Sequence, residues 1–384
     1  MKIGLVYPDD FSVWIFRKKL ILMLKELGHD VYVITSPGEF VEKIESLGAI
    51  HVPIGMERFV GVRGDIKLFV ELFKLFKRLE LDVVHNFTIK PNTYSAIAAK
   101  LVGTKKIYNS VTGLGYLYRY PWESSIKEKI LKKIIYVLYW IGTRVANKTW
   151  FQNVDDVNYF ESKGLISNNQ IVLIRSSGID VKEWKIESIE ENEQSQYKKS
   201  LGFSVNDVVV LMVARALKTK GINEYAEAAK ILQAKYKEVK FLLVGGAEED
   251  GNLGLSSDEL KNVAANFQWL GHRTDIKQLI AISDICVLPS YYREGVPRSL
   301  LEAMALSKPI VTTNSAGCKE TIESGVNGFM IEPRNERQLA EAIEKLAIDE
   351  ELRERMGKNG RSKVESEFSE EYVAKSLITK LYEL

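Results

Sequence analysis

The sequence predicts an α/β chain of two doubly wound domains facing one cleft, on three observations. Short apolar strands alternate with amphipathic helical stretches through both halves, the pattern of a parallel sheet covered on both faces. At 384 residues the chain is long for one core and suits two domains of ordinary size. Between the halves, Ile186 to Ser200 is rich in Glu, Asn, Gln and Ser and interrupts the alternation, so it reads as the domain connection.

Taken in order, strands are expected at Ile3 to Tyr7, Val31 to Thr35, Ile50 to Pro53, Asp82 to His85, Lys106 to Asn109 and Thr149 to Gln152. The opening Met1 to Pro8 meets Asp9 and Asp10 too soon to be a signal peptide and reads as the first of them. Alternation resumes with Val208 to Val213, Phe241 to Val244, Ile285 to Leu288, Ile310 to Thr312 and Gly328 to Ile331, and an amphipathic helix closes the chain at Ser369 to Tyr382. No run reaches the roughly 18 to 20 apolar residues that span a bilayer; the most apolar, Ile134 to Gly142, is closed in by Lys133 and Arg144. The chain is therefore expected to be soluble or peripheral.

Net charge is +2, but unevenly placed. Residues 1 to 180 hold 25 Lys/Arg against 18 Asp/Glu, net +7, leaving 28 against 33, net −5, for the remainder. The basic half is a candidate for an anionic surface, and no nucleic-acid recognition motif accompanies it. Cys286 and Cys318 are the only cysteines and lack metal-ligand spacing, which favours a reducing cytosol.

The segment richest in chemistry is Ser290-Tyr-Tyr-Arg-Glu-Gly-Val-Pro-Arg-Ser-Leu-Leu-Glu-Ala-Met304, with Glu294 and Glu302 eight positions apart across a Gly-x-Pro break. Asp284 to Pro289 reads as a buried strand and Arg298 to Leu306 as a helix, so Gly295 to Ser299 form a strand-to-helix turn. Backbone N–H groups at such a helix start, with the positive end of the dipole, favour a diphosphate. Carboxylates repel phosphate and suit hydroxyls, so Glu294 and Glu302 are placed to hold a hexose and a ribose at the two ends of a sugar nucleotide. Arg215 and Lys220 follow the strand Val208 to Val213, at the carboxyl end where open α/β sheets bind ligands. Two cations there neutralise a leaving diphosphate and tighten as its bridging oxygen gains charge. Arg215 taken alone also fits a surface arginine.

These segments resemble the retaining glycosyltransferases of family 4. Glu294-x7-Glu302 with Ala303-Met304, Met212 to Gly221, Leu243-Val-Gly-Gly246, Leu270 to Asp275 and Gly325-Val-Asn-Gly-Phe329 occur in the order that family uses, over nearly the whole chain. Through Thr88-Ile-Lys-Pro-Asn92 and Val111-Thr-Gly-Leu-Gly-Tyr116 the likeness extends to bacterial members that lengthen polyisoprenyl-diphosphate-linked sugars, the α-1,3-N-acetylgalactosaminyltransferase type among them. The resemblance implies the GT-B architecture of two Rossmann-like domains: residues 1–185 for the acceptor, with helix 369–384 packing back onto them, and residues 200–368 for the nucleotide sugar. It also implies metal-independent transfer with no cofactor, the UDP-sugar being a substrate; no Asp-x-Asp triplet occurs.

By the same resemblance Glu302 holds the ribose and Glu294 the transferred sugar, with covalent catalysis by Glu294 an open alternative. Gly295, Val296, Pro297, Arg298, Ser299 and Leu300 form the donor turn, Gly245 lets backbone approach the donor, and backbone around Arg273 meets the base. Gly245-Gly246 also fits a tight turn, Arg298 an exposed first-turn residue, and His272 and Asp275 turn and helix N-cap residues. In the first domain, relatives often carry His-x-His where this chain has His85-Asn86-Phe87, so no catalytic histidine stands at position 87. His85 reads as a buried strand-end residue, and Asn86, Thr88, Lys90, Asn92, Gly113 and Gly115 are the acceptor candidates.

Tyr116 to Lys148 mixes Tyr116, Tyr118, Tyr120, Trp122, Tyr136, Tyr139 and Trp140 with Arg119, Lys127, Lys129, Lys132, Lys133, Arg144 and Lys148. Such a cationic, aromatic helix suits a membrane interface, here the inner face of the cell membrane. The plainer alternative is a helix burying Ile130, Ile134, Val137 and Leu138 in the first domain. Overall the expectation is a glycosyltransferase using a UDP-sugar and a polyisoprenyl-diphosphate-linked acceptor. A non-catalytic GT-B subunit and a UDP-sugar 2-epimerase are the alternatives.

Overall fold

The structure is a computed structural model that describes residues 1–56, 61–115, 118, 126–247 and 254–384, Val62 by its backbone only. Tyr116, Arg119, Tyr120 and Trp122 of the aromatic stretch lie outside the described residues. The chain divides into two units, each built on one parallel sheet.

The first unit holds Met1–Leu117, Pro121–Gly178 and Glu370–Leu384. Its strands are β1 Lys2–Asp9, β2 Asp30–Ser36, β3 Ile50–Pro53, β4 Val83–Phe87, β5 Lys106–Val111, β6 Lys148–Phe151 and β7 Ile171–Leu173, in the order β3-β2-β1-β4-β5-β6-β7. Alternate residues face opposite sides of the sheet, and both sides are covered. Ile3, Leu5, Tyr7, Val83 and Phe87 pack in the core that helix Asp10–Glu26 shares, while Val6, Ile34, Val84 and Ile107 pack in the core formed with helices Val62–Leu79 and Ala96–Val102. Asp9 starts the first helix by accepting a 2.7 Å bond from the Ser12 N–H, the N-cap arrangement. Register Ile3↔Val83 and Leu5↔His85 joins β1 to β4, where strand order reverses.

The second unit holds Tyr118–Tyr120 and Ile179–Ser369. Its strands are β8 Val208–Val213, β9 Val239–Val244, β10 Gln268–Trp269, β11 Ile285–Leu288, β12 Ile310–Thr313 and β13 Gly328–Ile331, ordered β10-β9-β8-β11-β12-β13. The reversal here falls between β8 and β11. Ligands in open α/β sheets bind beyond the carboxyl ends at such a point.

The α/β class and the two doubly wound sheets are as predicted. Two strands escaped the sequence reading: β7 has three residues and β10 two, Gln268 and Trp269 pairing Leu242 and Leu243. Runs that short carry no readable period. The polar segment expected to connect the domains is also different, because Glu191–Ser200 is a helix packed on helix Ile276–Ile282 within the second unit. At the chain's end, helix Glu370–Ser376 and the π-helical turn Leu377–Tyr382 bury Val373, Leu377, Leu381 and Tyr382 in the first unit's core. Each such side chain contributes about 1.5–3 kcal/mol by its burial.

Candidate active site

The site is clearest where β8 and β11 end. After β8 the chain makes a 3-10 turn at Lys218–Lys220, closed by Gly221 at φ +82°. A Cβ at Gly221 would lie 2.3 Å from the Pro289 carbonyl oxygen, so only glycine lets this loop sit against the end of β11. The Tyr291 N–H donates to the Thr219 carbonyl at 2.9 Å and the Tyr291 hydroxyl to that of Lys218 at 2.9 Å. Held in this way, Lys220 Nζ lies 2.7 Å from Glu294 Oε1, with the side chains only 11% and 14% exposed. Ser290 Oγ donates to the same carboxylate oxygen at 2.9 Å. Arg215, two residues past β8, is exposed.

The turn that follows is backed from behind. A Cβ on Gly317, at φ +82°, would lie 1.8 Å from the Gly295 carbonyl oxygen, so Gly295 rests directly on Gly317 backbone. Pro297 stands at the N-cap of helix Arg298–Ala305, its fixed φ suited to a helix start, and Leu300 and Leu301 anchor the helix in the core. The N–H groups of this first turn lie at the positive end of the helix. Arg298 Nε donates to Glu302 Oε1 at 2.8 Å, one helical turn on. Burial raises the Glu302 carboxyl above its ordinary range, and the Arg298 guanidinium opposes that rise.

Beyond β9, Gly245 takes φ +152° and a Cβ there would lie 1.7 Å from the Ala214 carbonyl oxygen. Its N–H donates to the Gly271 carbonyl, and its own carbonyl accepts from Trp269 Nε1, both at 2.9 Å. Gly245 is thus a close-approach glycine that lets the exits of β8 and β9 meet. Arg273 is fixed by Asp275, Nε to Oδ1 at 2.8 Å and Nη2 to Oδ2 at 2.5 Å, while the Tyr197 hydroxyl donates to Oδ2. Asp275 does occupy a helix N-cap position, but its side chain makes no capping bond; the paired guanidinium draws it away. That pairing, with the Tyr197 bond, lowers the Asp275 carboxyl to about 2. A depressed carboxylate stabilises the fold above its ordinary value of 3.8 and loses that effect as pH falls toward about 2. Wild-type stability should therefore exceed that of Asp275→Asn by most above pH ~4, the gap closing toward pH ~2. Melting temperatures of the two across this window check it, and a constant gap would contradict it.

In the first unit the expected acceptor residues gather at the carboxyl ends of β4 and β5, with different exposures. Thr88 takes φ +72°, an uncommon conformation for a β-branched residue and a frequent companion of functional sites. Gly113 at φ +118° and Gly115 at φ +72° follow β5. Two expectations need correcting. Asn92 is 1% exposed, and its amide gives Nδ2 to the Ser110 carbonyl at 2.8 Å and takes the Ser110 N–H at 3.2 Å, so it braces β5 and is closed to an acceptor. Asn86 is fully buried and donates to Asn109 Oδ1 at 3.0 Å. Lys90, 8% exposed, lies 2.8 Å from the buried Asp65 carboxylate.

His85 is fully buried, sharing bonds with the Tyr382 hydroxyl at 2.8 Å and Ser110 Oγ at 2.6 Å. Burial, then the Arg17 guanidinium, holds its pKa well below the ordinary value, so it is neutral. Phe87 stacks on Tyr7 with centroids 4.0 Å apart and lies 4.8 Å from the Arg17 guanidinium. The ring at position 87 is core.

Comparison with known proteins identifies the family. Residues 193–363 match the family described as glycosyl transferases group 1, and residues 2–139 match glycosyl transferase 4-like. Over 364 residues, 94% of this chain and 93% of the relative, the chain is 34% identical to the N,N'-diacetylbacillosaminyl-diphospho-undecaprenol alpha-1,3-N-acetylgalactosaminyltransferase of Campylobacter jejuni. The chain belongs to the group 1, family 4-like glycosyltransferases. This glycosyltransferase is also 26% identical, over 85% of its length and 81% of the relative's, to the UDP-Gal:alpha-D-GlcNAc-diphosphoundecaprenol alpha-1,3-galactosyltransferase of Escherichia coli. In fold it matches the crystal structure of Anabaena Alr3699/HepE in complex with UDP and glucose, with TM-score 0.80 at 20% identity over 100% of both chains. The glycosyltransferase is therefore a GT-B protein, as its motifs implied.

Sequence reading missed several residues that shape this glycosyltransferase's site. Ser290 lies four positions before Glu294, where its sequence context gives it no distinct role; Gly317 carries only the generic signal of a turn glycine after a strand. Tyr197 fell in the presumed connection. Together the groups offer an anion seat at Lys220 and the helix start, with carboxylates at Glu294 and Glu302 for hydroxyls.

Proposed function

We propose that this glycosyltransferase moves a hexose or N-acetylhexosamine from a UDP-sugar to a polyisoprenyl-diphosphate-linked saccharide, with retention at the anomeric carbon, in assembly of a bacterial surface glycan. The observation that carries the reading is the Lys220–Glu294 pair at 2.7 Å beside the start of helix Arg298–Ala305. One partner suits the diphosphate and the other a sugar hydroxyl. The C. jejuni and E. coli relatives, both named for diphosphoundecaprenol-linked acceptors, support the acceptor class.

In this mechanism the bond from the anomeric carbon to the UDP oxygen breaks as the acceptor hydroxyl adds on the same face. The acceptor proton passes to the departing phosphate oxygen. Lys220, Arg215 and the N–H groups of the Gly295–Ser299 turn stabilise the charge gathering there, which assigns to fixed protein groups the work a metal does elsewhere. Glu294 orients the transferred sugar and Glu302 the ribose. Thr88, Lys90, Gly113 and Gly115 of the first unit are the acceptor contacts in this reading.

Incubation with a panel of UDP-sugars and a water-soluble, short-chain polyprenyl-diphosphate saccharide tests it. One donor should give a lengthened product with retained anomer, at a rate unchanged by a chelator. No product with any donor would point to the non-catalytic subunit, an altered free sugar to the epimerase, and loss of activity with the chelator to a metal.

A further inference from the structure

We infer that the outer face of helix Ile126–Val145 docks this protein on an anionic lipid bilayer. The inference deepens the proposed reaction and rests on it for why a bilayer matters, while the docking surface itself is read from the helix. The helix has two apolar sides. Ile135, Tyr139, Gly142 and Thr143 are buried against the protein. At 100° per residue, Ile126, Ile130, Ile134, Val137 and Trp140 fall on one stripe roughly opposite to them, and these are 76%, 55%, 41%, 49% and 41% exposed. The core alternative for this helix required Ile130, Ile134, Val137 and Leu138 to be buried; the first three are exposed and only Leu138 is half-buried.

A soluble surface rarely carries so continuous an apolar stripe without an occupant. The charges say which occupant. Lys129 flanks the stripe on one side and Lys127 on the other, Lys133 projects from within it, all three are exposed, and Arg144 stacks on Trp140 with its guanidinium 4.1 Å from the ring centroid. Glu128, the one acidic residue of the helix, projects toward the protein side. Apolar and aromatic side chains between cations match the acyl boundary and phosphate layer of an anionic leaflet; a protein partner's apolar patch would leave the lysines unmatched.

The same face of the sheet adds to the platform. Helices Val62–Leu79 and Ala96–Val102 pack beside one another in the core that covers this side of β1, β2, β4 and β5, and Ala146 at the end of the docking helix joins them. Their outward residues include Ile66 at 59%, Val70 at 41% and Leu101 at 63% exposure, with Arg63, Lys67, Lys74 and Lys100. Among the described residues no helix is long and apolar enough to cross a membrane, so the contact proposed is with the surface layer.

Co-sedimentation of the full chain with vesicles of phosphatidylcholine, with and without phosphatidylglycerol, tests this. The wild type should bind the phosphatidylglycerol vesicles and leave neutral ones largely free. Replacing Ile130, Val137 and Trp140 together by serine should lower that binding at least tenfold. Lys127→Gln, Lys129→Gln and Lys133→Gln together should lower it on the order of 100-fold, about fivefold per lysine. Both variants should keep wild-type transfer to the water-soluble acceptor, which shows that they fold. Equal binding to neutral vesicles, or binding by both variants equal to wild type, would overturn the inference, as would capture by RNA in place of vesicles. Vesicle binding with no transfer to any acceptor would leave docking standing and remove the proposed reaction instead.

Discussion

Lys220→Ala and Glu294→Gln are each expected to lower sugar transfer by more than about 100-fold, the scale of losing one preorganised contact to developing charge. Their 2.7 Å pair explains why the effects should be coupled. Without the ammonium, the Glu294 carboxylate loses its 2.7 Å charged partner, while Ser290 Oγ still donates to that oxygen. With glutamine at 294, the ammonium loses its charge partner in a largely buried setting. The double variant should therefore lose less than the product of the single losses. The variants should also divide by ligand: Lys220→Ala weakens UDP binding, because its role is toward the diphosphate, whereas Glu294→Gln leaves UDP affinity nearly intact and acts on turnover. Steady-state kinetics with calorimetric UDP titration read both, and near-normal turnover by the two single variants would remove their assigned roles.

Gly317→Ala should be among the most damaging single methyl additions in the second unit's site. Its Cβ would be placed 1.8 Å from the Gly295 carbonyl oxygen, backbone against backbone, at a φ of +82°. Either the donor turn shifts outward or the strand exit behind it does. The conformational strain alone is about 1–3 kcal/mol, and the collision adds to it, so a fall in melting temperature of roughly 5 °C or more is expected. A tenfold or greater loss of UDP affinity should accompany it, because the N–H groups after Gly295 no longer converge. Gly325→Ala provides the control: it has φ +86° and nothing within 4 Å of the added carbon. It should show only the strain. If Gly317→Ala and Gly325→Ala behave alike in UDP binding, the Gly295 turn does not carry the donor.

How much of the site was legible depended on sequence distance. Glu294, the Gly-x-Pro break and Glu302 sit within nine residues, where strand, turn and helix follow from local pattern. The partner that fixes Glu294 is 74 positions away, and no period links Lys220 to it. The motif suggests only a backbone contact at Arg273, and its guanidinium is committed to Asp275 and Tyr197, the latter from a segment whose composition resembles a linker. Asn86 and Asn92 were reasonable polar candidates at a strand's end; a buried asparagine network looks the same in sequence as an open one. The helix 126–145 shows the same limit, since its apolar residues are visible in the sequence on both sides and only packing tells which side is covered.

The sequence by itself determined the two parallel sheets, because runs of branched apolar residues bounded by turns have few other ways to satisfy their backbone, and it determined the strand-to-helix turn between Glu294 and Glu302. Tertiary structure alone decided that Lys220 meets Glu294, that Gly317 supports Gly295, that Asn92 is closed to ligand and that Ile130, Ile134 and Val137 face solvent. Hydrogen bonding and periodicity act over a few residues, whereas burial and charge pairing depend on which distant segments the sheet order brings together.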